Sequence, residues 1–366
     1  MIERISSYQL TLALVSMIIG IGIADLPKSV SQAVGNPDAW ISVILGGIIN
    51  IFLVLIICKL VTLFPDQTFF DYSKIITGKV IGFVLGLSLA FYWLFFAAFE
   101  VRVHTELLKH VLFDYTPSKI IYATFILTGV YILTGGLKPV FKVNELIIPL
   151  IFLLTIIIFS FTFLSFDSTN IRPVFGEGLT PIIKGLKTTI WPLAGFEALL
   201  AFGAFLKNKK EIYKVSVIAV TIGIIFYTLT TIITIGILSL PETTTLAWPT
   251  IDMIKNIELP GNFFEQFEII FIVVWILKIF LTYLLCHYLA CLGISKLLKI
   301  NFNYVCYITA VILYIFASIP KNLKELFKIG DTLNYLTIAY TTIIPITLLI
   351  LALIQKKFKE IRCTNE

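Results

Sequence analysis

Ser16-Met17-Ile18-Ile19-Gly20-Ile21-Gly22-Ile23-Ala24-Asp25-Leu26-Pro27 lies in the middle of the chain's first apolar segment, near 8–34. Two glycines, a carboxylate and a proline follow one another here. In a helix interior glycine costs about 1 kcal/mol and proline about 3 relative to alanine, so a continuous helix is disfavoured. Trp191-Pro192-Leu193-Ala194-Gly195-Phe196-Glu197-Ala198 repeats the combination inside a second apolar segment, near 179–206. Both stretches predict interrupted helices. Unwound backbone at membrane depth is tolerated only where protein buries it or where it lines a cavity. The freed N–H and C=O groups can hold a solute, and the N-terminus of the resumed half-helix attracts a carboxylate. The other reading is that these glycines and prolines only let helices pack closely.

That these segments lie in a membrane follows from composition. Of 366 residues 58% are hydrophobic and 14% charged, and the mean hydropathy is +0.97. Soluble domains run near 45–50% apolar and about 25% charged. An ordinary cytosolic enzyme, a nucleic-acid-binding protein and a disordered chain are excluded. The lipid bilayer is the expected partner, and the apolar N-terminus reads as a retained first span. Ten segments approach the roughly 20 apolar residues that a crossing needs. They lie near 8–34, 39–63, 80–111, 119–136, 144–165, 179–206, 213–240, 263–298, 302–319 and 334–355. The third and eighth exceed the bilayer's thickness and should tilt or protrude.

The ten segments divide five and five, with an interrupted helix opening each half. An odd number of spans per half inverts the second half relative to the first. The expected architecture is therefore an all-α polytopic membrane protein, a single integral domain over 1–366. Repeat one is about 1–167, repeat two about 178–356, and broken helices 1 and 6 meet at the midplane in a LeuT-like inverted repeat. Orientation follows from Lys and Arg. With the N-terminus inside, 16 cations flank inner ends and 10 flank outer ends, which predicts cytoplasmic termini. The cluster Lys207-Asn208-Lys209-Lys210 is the strongest single indicator.

Charged groups at membrane depth are functional candidates because each is costly to insert. Glu197 follows the second break, as a ligand or proton site or as a cap on the resumed half-helix. Lys278, near the middle of the eighth segment beside Trp275, could meet a solute, stand where a sodium ion would, or pair with a buried carboxylate. Glu100 is deep in the third segment, and a coupling role is open to it. Arg102 and Glu106, four apart, should form a structural pair. Tyr92 offers a hydroxyl on roughly the face of Glu100, or simply packs. Asp25 and Lys28 suggest a local pair or a cap. Thr228, Thr231, Thr234, Tyr340, Thr341 and Thr342 are expected to bond helix to helix. The five cysteines have no disulfide or metal spacing and read as buried apolar residues. No metal-ligand cluster, phosphate loop or nucleophile elbow occurs, so neither an enzyme nor a metal or cofactor is expected.

At the two breaks the chain resembles a known family. Gln9, Gly20-Ile21-Gly22-Ile23, Leu26-Pro27, Gly35 and Asp38-Ala39-Trp40 resemble the B subunits of bacterial spore germinant receptors, the GerAB/GerKB type. Gly195-Phe196-Glu197, Trp248-Pro249-Thr250, Pro260-Gly261, Phe263-Phe264-Glu265, Trp275 and Phe280 continue the likeness along the whole chain. The family's usual Glu-Arg-x-Asp is Glu265-Gln266-Phe267-Glu268 here, without the arginine. The resemblance implies the amino acid–polyamine–organocation superfamily fold, nutrient sensing in the inner membrane of a spore, and A-type and C-type partner subunits. A small solute, in the first place an amino acid, would bind between helices 1, 3, 6 and 8. Gly20, Ile21, Gly22 and Ile23 would supply backbone groups, and Tyr92, Leu193, Gly195, Phe196 and Trp275 would shape the pocket. Glu197 and Lys278 would set its charge. A proton- or sodium-coupled amino-acid permease is the alternative, since fold does not fix function.

Overall fold

The computed structural model describes residues 3–20, 22–111, 113, 115–190, 192–255 and 267–364. Among these residues the chain is helical, apart from loops and an isolated β-bridge between Ile5 and Leu206. Six helices are long and apolar enough to cross a membrane: Ala39–Leu63, Lys79–Lys109, Leu137–Thr162, Lys209–Thr245, Val273–Leu298 and Leu323–Lys356. The pair Ser7–Ile18 and Gly22–Val34, bent by 50°, makes a broken span. Ser118–Leu133, Phe196–Phe205 and Phe302–Ser318 are apolar but shorter. The chain is an integral, multi-pass, all-α membrane protein.

Helix α1 (Ser7–Ile18) opens on a capping box in which Gln9 N donates to Ser6 Oγ (3.1 Å) and Ser6 N to Gln9 Oε1 (3.0 Å). It stops at the glycines, and α2 (Gly22–Val34) resumes. Pro27 within α2 has no N–H for the carbonyl of Ile23. Thr250 Oγ1 supplies the missing donor at 2.8 Å. Next come α3 (Ala39–Leu63), a short α4 (Phe69–Thr77) that hydropathy did not separate, and α5 (Lys79–Val111). The 33 residues of α5 span about 50 Å against roughly 30 Å of hydrocarbon, so it protrudes or tilts as expected. After α6 (Ser118–Leu133) and α7 (Leu137–Thr162), α8 (Leu179–Thr189) leads into the second break. That span resumes as a 3-10 turn at Phe196–Ala198, α9 (Leu199–Phe202) and another 3-10 turn at Gly203–Phe205.

The helix α10 (Ile212–Thr245) kinks at Ser239, whose φ is 66°, two residues before Pro241. Beyond the kink the chain stays helical to Thr245, and α11 (Pro249–Lys255) follows. The chain then runs through α12 (Phe267–Leu298), α13 (Phe302–Ser318) and α14 (Leu323–Ile338). The last helix starts earlier than hydropathy suggests, because Asn322 Oδ1 accepts from Glu325 N (2.9 Å) and caps a polar first turn. It passes through one π-helical turn (Ala339–Ile343) into α15 (Ile344–Thr364).

Small residues decide how closely helices approach. Gly46 of α3 meets Thr189, Gly47 meets Ile224 of α10, and Gly129 of α6 meets the ring of Tyr283 in α12. Among the described residues the most extensive helix–helix interface is between α12 and α5. Several hydroxyls expected to bond across helices bond back along their own: Thr231 to Tyr227 O and Thr341 to Thr337 O. An i−4 carbonyl is always within reach, whereas a partner on a neighbour needs register. Thr234 to Met253 and Tyr340 to Ser88 do cross. Cys58, Cys286, Cys291 and Cys306 are buried free thiols.

The N-terminal segment straps the start of α1 to the end of the second broken span. Ile5 N donates to Phe205 O and Lys207 N to Ile5 O, both at 2.9 Å. Arg4 and Lys209 pair with Asp66 at 2.5 and 3.1 Å. Lys209 also donates to Gly203 O (2.9 Å) and Ala204 O (2.6 Å), the last carbonyls of that span.

Candidate functional site

The two helix breaks touch. A Cβ on Gly195 would stand 2.5 Å from Met17 C and 2.8 Å from Ile18 N, and Gly195 has a φ of +111°. A Cβ on Gly22 would stand 2.8 Å from Pro192 Cβ and 3.1 Å from the Tyr227 hydroxyl. Only glycine permits this approach at both places, which is why the two sequence stretches look alike. Ile21 and Trp191 lie outside the described residues, as does Pro260-Gly261 with Phe263-Phe264-Glu265. Of the stretch that departs from the family pattern, Glu265 and Gln266 are likewise outside, and the Phe267 and Glu268 side chains are too.

Breaking α1 frees the Ser16 carbonyl, because Gly20 N turns to Ile18 O (3.0 Å) instead. Lys278 donates its ammonium to that carbonyl and to Thr282 Oγ1 (3.0 Å), and Thr282 Oγ1 also donates to Ser16 O (3.0 Å). A buried cation thus sits on the C-terminal end of a half-helix, where the helix dipole is negative. Ile18 O accepts from the Tyr227 hydroxyl at 3.1 Å.

The second break is held by Glu197. Its Oε2 accepts from Gly195 N (2.7 Å) and its Oε1 from the Tyr92 hydroxyl (2.8 Å). Tyr92 also bonds Thr337 Oγ1 at 2.9 Å. This chain of bonds joins α5, the second break and α14. Glu197 thus closes the turn at the second break, as a cap would, and accepts from the tyrosine as well.

Glu100 differs. It is fully buried, and neither carboxylate oxygen has a hydrogen-bond partner among the described residues. Oε1 lies 3.6 Å from the Cβ position of Gly20, and Lys278 is the cation whose field acts on it. Arg102 pairs with Glu106 at 2.7 Å and donates to the Tyr122 hydroxyl (2.7 Å), the structural pairing expected of it. Asp25 and Lys28 both line a wide cavity reaching Gly22, together with Lys187 and Asp331. At the strap outside the membrane, the hydrogen bond from Arg4, with Lys209 beside it, holds the Asp66 carboxyl below its ordinary range.

Two small cavities flank the breaks. One, about 20 Å³, is lined by Gly20, Gly22, Tyr92, Gly195, Glu197 and Thr337, among others. The second, about 30 Å³, is lined by Ile23, Thr250, Trp275 and Lys278 with mostly apolar neighbours, Phe152, Phe159 and Phe226 among them. Each has room for a water or two. Leu193 and Phe196 are buried but line neither, since their side chains pack into the core. Eight of the described candidates thus gather around two pockets beside the breaks: Gly20, Gly22, Tyr92, Gly195 and Glu197 in one, Ile23, Trp275 and Lys278 in the other. Ser16, Tyr227, Thr250, Thr282 and Thr337 were not singled out by function. Thr250 could have been found as the hydroxyl that answers Pro27, but pairing across more than 200 residues leaves no local trace.

The chain matches the family profile described as Spore germination protein over residues 4–326. It is 33% identical over 355 residues to spore germination protein YndE of Bacillus subtilis, covering 97% of this chain and 98% of that one. Spore germination protein A2 of the same organism is 32% identical over 336 residues, 92% of each chain. Among solved structures, that of Mhp1, a nucleobase-cation-symport-1 family transporter in a closed conformation with bromovinylhydantoin bound, superposes with a TM-score of 0.69. The match covers 95% of this chain and 78% of that one at 12% identity, and shows a shared LeuT-like fold.

Proposed function

This chain belongs to the spore germination protein family, and on that footing we propose that it is the nutrient-sensing membrane subunit of a spore germination receptor. A small solute, in the first place an amino acid, binds at the midplane between helices 1, 3, 6 and 8. The supporting observation is the contact of the two breaks, beside which the Tyr92 hydroxyl bonds both Glu197 and Thr337. The cavities there are too small for an amino acid, so binding requires Gly195 and Gly22 to part from Met17 and Pro192. A solute that favours the parted state shifts the equilibrium by no more than its differential affinity for the two states.

The same reading completes ten spans with the three shorter apolar helices, as inverted repeats over about 1–167 and 178–356. It places both termini in the cytoplasm and the subunit in the spore inner membrane, with A-type and C-type subunits carrying the signal onward. The test is the germination response of spores carrying Gly22→Trp or Glu197→Ala at normal protein levels. Both should lose the response, and a response like the wild type's would sink the pocket. A permease is the second reading, favoured by the fold shared with a transporter. Uptake of labelled amino acid into proteoliposomes by this chain alone would establish it.

A further inference from the structure

On the side opposite the N-terminus, a cavity of about 340 Å³ opens above Gly22. Four helices wall it, α2, α5, the end of α8 and α14 from Leu326 to Asn334, together with Trp248 just before α11. Its charges are Asp25 and Lys28 from α2, Lys187 from α8 and Asp331 from α14. Two ammonium groups and two carboxylates thus face one space from three helices. Lys28 and Asp331 are the charges whose fields act on Asp25. Asn334 adds a polar atom, for its Oδ1 has no hydrogen-bond partner among the described residues. Phe99, Val103 and Trp248 supply apolar wall.

We propose that this cavity is a second, outer binding site for a zwitterionic small solute, with a free α-amino acid of apolar side chain as the chemical class it fits. The site rests on the solute-binding reading above and extends it. Opposed charges on a shared wall reward a ligand carrying both signs. A purely cationic or purely anionic ligand meets as much repulsion as attraction. The volume falls within the 300–1,000 Å³ typical of small-molecule pockets, whereas the central cavities are more than tenfold smaller. Gly22 lines both the outer cavity and the smaller central one. Its packing on Pro192 and the Tyr227 hydroxyl closes the floor between them. A solute held outside is thereby placed directly over the contact that must open.

The test is equilibrium binding to the full chain in lipid nanodiscs. The probes are L-leucine, L-leucinamide (cation only), N-acetyl-L-leucine (anion only) and glucose. L-leucine should bind at least about tenfold tighter than the others. Lys187→Gln and Asp331→Asn should each weaken it roughly threefold to fivefold, the scale of a partly solvated charge contact. No L-leucine binding, equal binding of the amide, or unchanged affinity in both variants overturns the outer site. Tyr92→Phe separates this failure from that of the central pocket. If it alone removes binding, the central reading stands and the outer site falls. If only the vestibule variants weaken binding, the outer site stands and the central one falls. Ser29→Cys, made together with Cys363→Ser, gives a readout free of charge changes, since Ser29 lines the cavity and Cys58, Cys286, Cys291 and Cys306 are buried. L-leucine should slow its labelling by a membrane-impermeant thiol reagent, and no slowing overturns the proposal.

Discussion

Alanine placed in turn at Gly195, Gly22 and Gly20 should separate the three glycines by their neighbours. At Gly195 a methyl group meets backbone atoms of Met17 and Ile18 at 2.5–2.8 Å, and φ is +111°. Neither term can relax cheaply. The backbone conformation costs about 1–3 kcal/mol for a residue with a Cβ, and the overlap about 1–3 more. The sum is roughly 2–6 kcal/mol, enough to force the breaks apart. At Gly22 the obstacle is Pro192, with its Cβ at 2.8 Å and Cα at 3.0 Å. The backbone there is already helical, so only the overlap of about 1–3 kcal/mol applies. At Gly20 the nearest atoms are Glu100 Oε1 at 3.6 Å and Met17 O at 3.7 Å, which is ordinary contact. Gly20→Ala should therefore stay within about 1 kcal/mol of wild type. Unfolding of the purified variants in micelles, followed by tryptophan fluorescence, reads all three. Gly195→Ala as stable as Gly20→Ala would refute the claim that contact of the breaks holds this conformation.

Other outcomes follow from the same geometry. Tyr92→Phe leaves Glu197 Oε1 without its donor and should cost about 1–3 kcal/mol in the same assay; a change under about 0.5 would show the bond to be incidental. Lys278→Met should be costly on its own, since it leaves the Ser16 carbonyl unmet by an ammonium and Glu100 without its nearby cation. Adding Glu100→Gln should recover about 1–3 kcal/mol, and strict additivity in that double-mutant cycle would deny the coupling. Asp66 has a depressed carboxyl in the folded state, so its contribution is full above its unfolded value and fades as pH falls below about 4. The contact is exposed and its effect small. Hydrogen exchange at Ile5 and Lys207 should rise through that window in wild type but be high at every pH in Asp66→Asn, and matching profiles would refute the strap's dependence on Asp66.

What the sequence reveals here is set by how local the cause is. Gly20, Gly22, Pro192 and Gly195 break helices through their own backbone chemistry, so both interruptions are legible, and charge at membrane depth draws attention to Glu197 and Lys278. Composition alone made the chain a membrane protein. The acceptor of Lys278, the Glu197–Tyr92–Thr337 bridge and the answer of Thr250 to Pro27 depend on partners brought together by folding. No periodicity encodes them. The short α4 escaped because nine residues, half of them apolar, look like a loop beside a 25-residue span. The early start of α14 escaped because its polar turns lie outside the hydrocarbon, where hydropathy has no leverage.

Lys278 has one more consequence, and it concerns energy supply. The C-terminal end of an interrupted half-helix is a natural seat for a positive ion, and a mobile ion seated there could enter from one side and leave to the other. Each such passage would deliver work from the electrochemical gradient to the protein. An ammonium carried on a side chain fills the same electrostatic need at Ser16 and cannot depart. Sodium moving down its gradient then has no purchase at this position. On the sensor reading proposed above, a change of state would then be driven by the solute's differential affinity for the two states and not by sodium at this position.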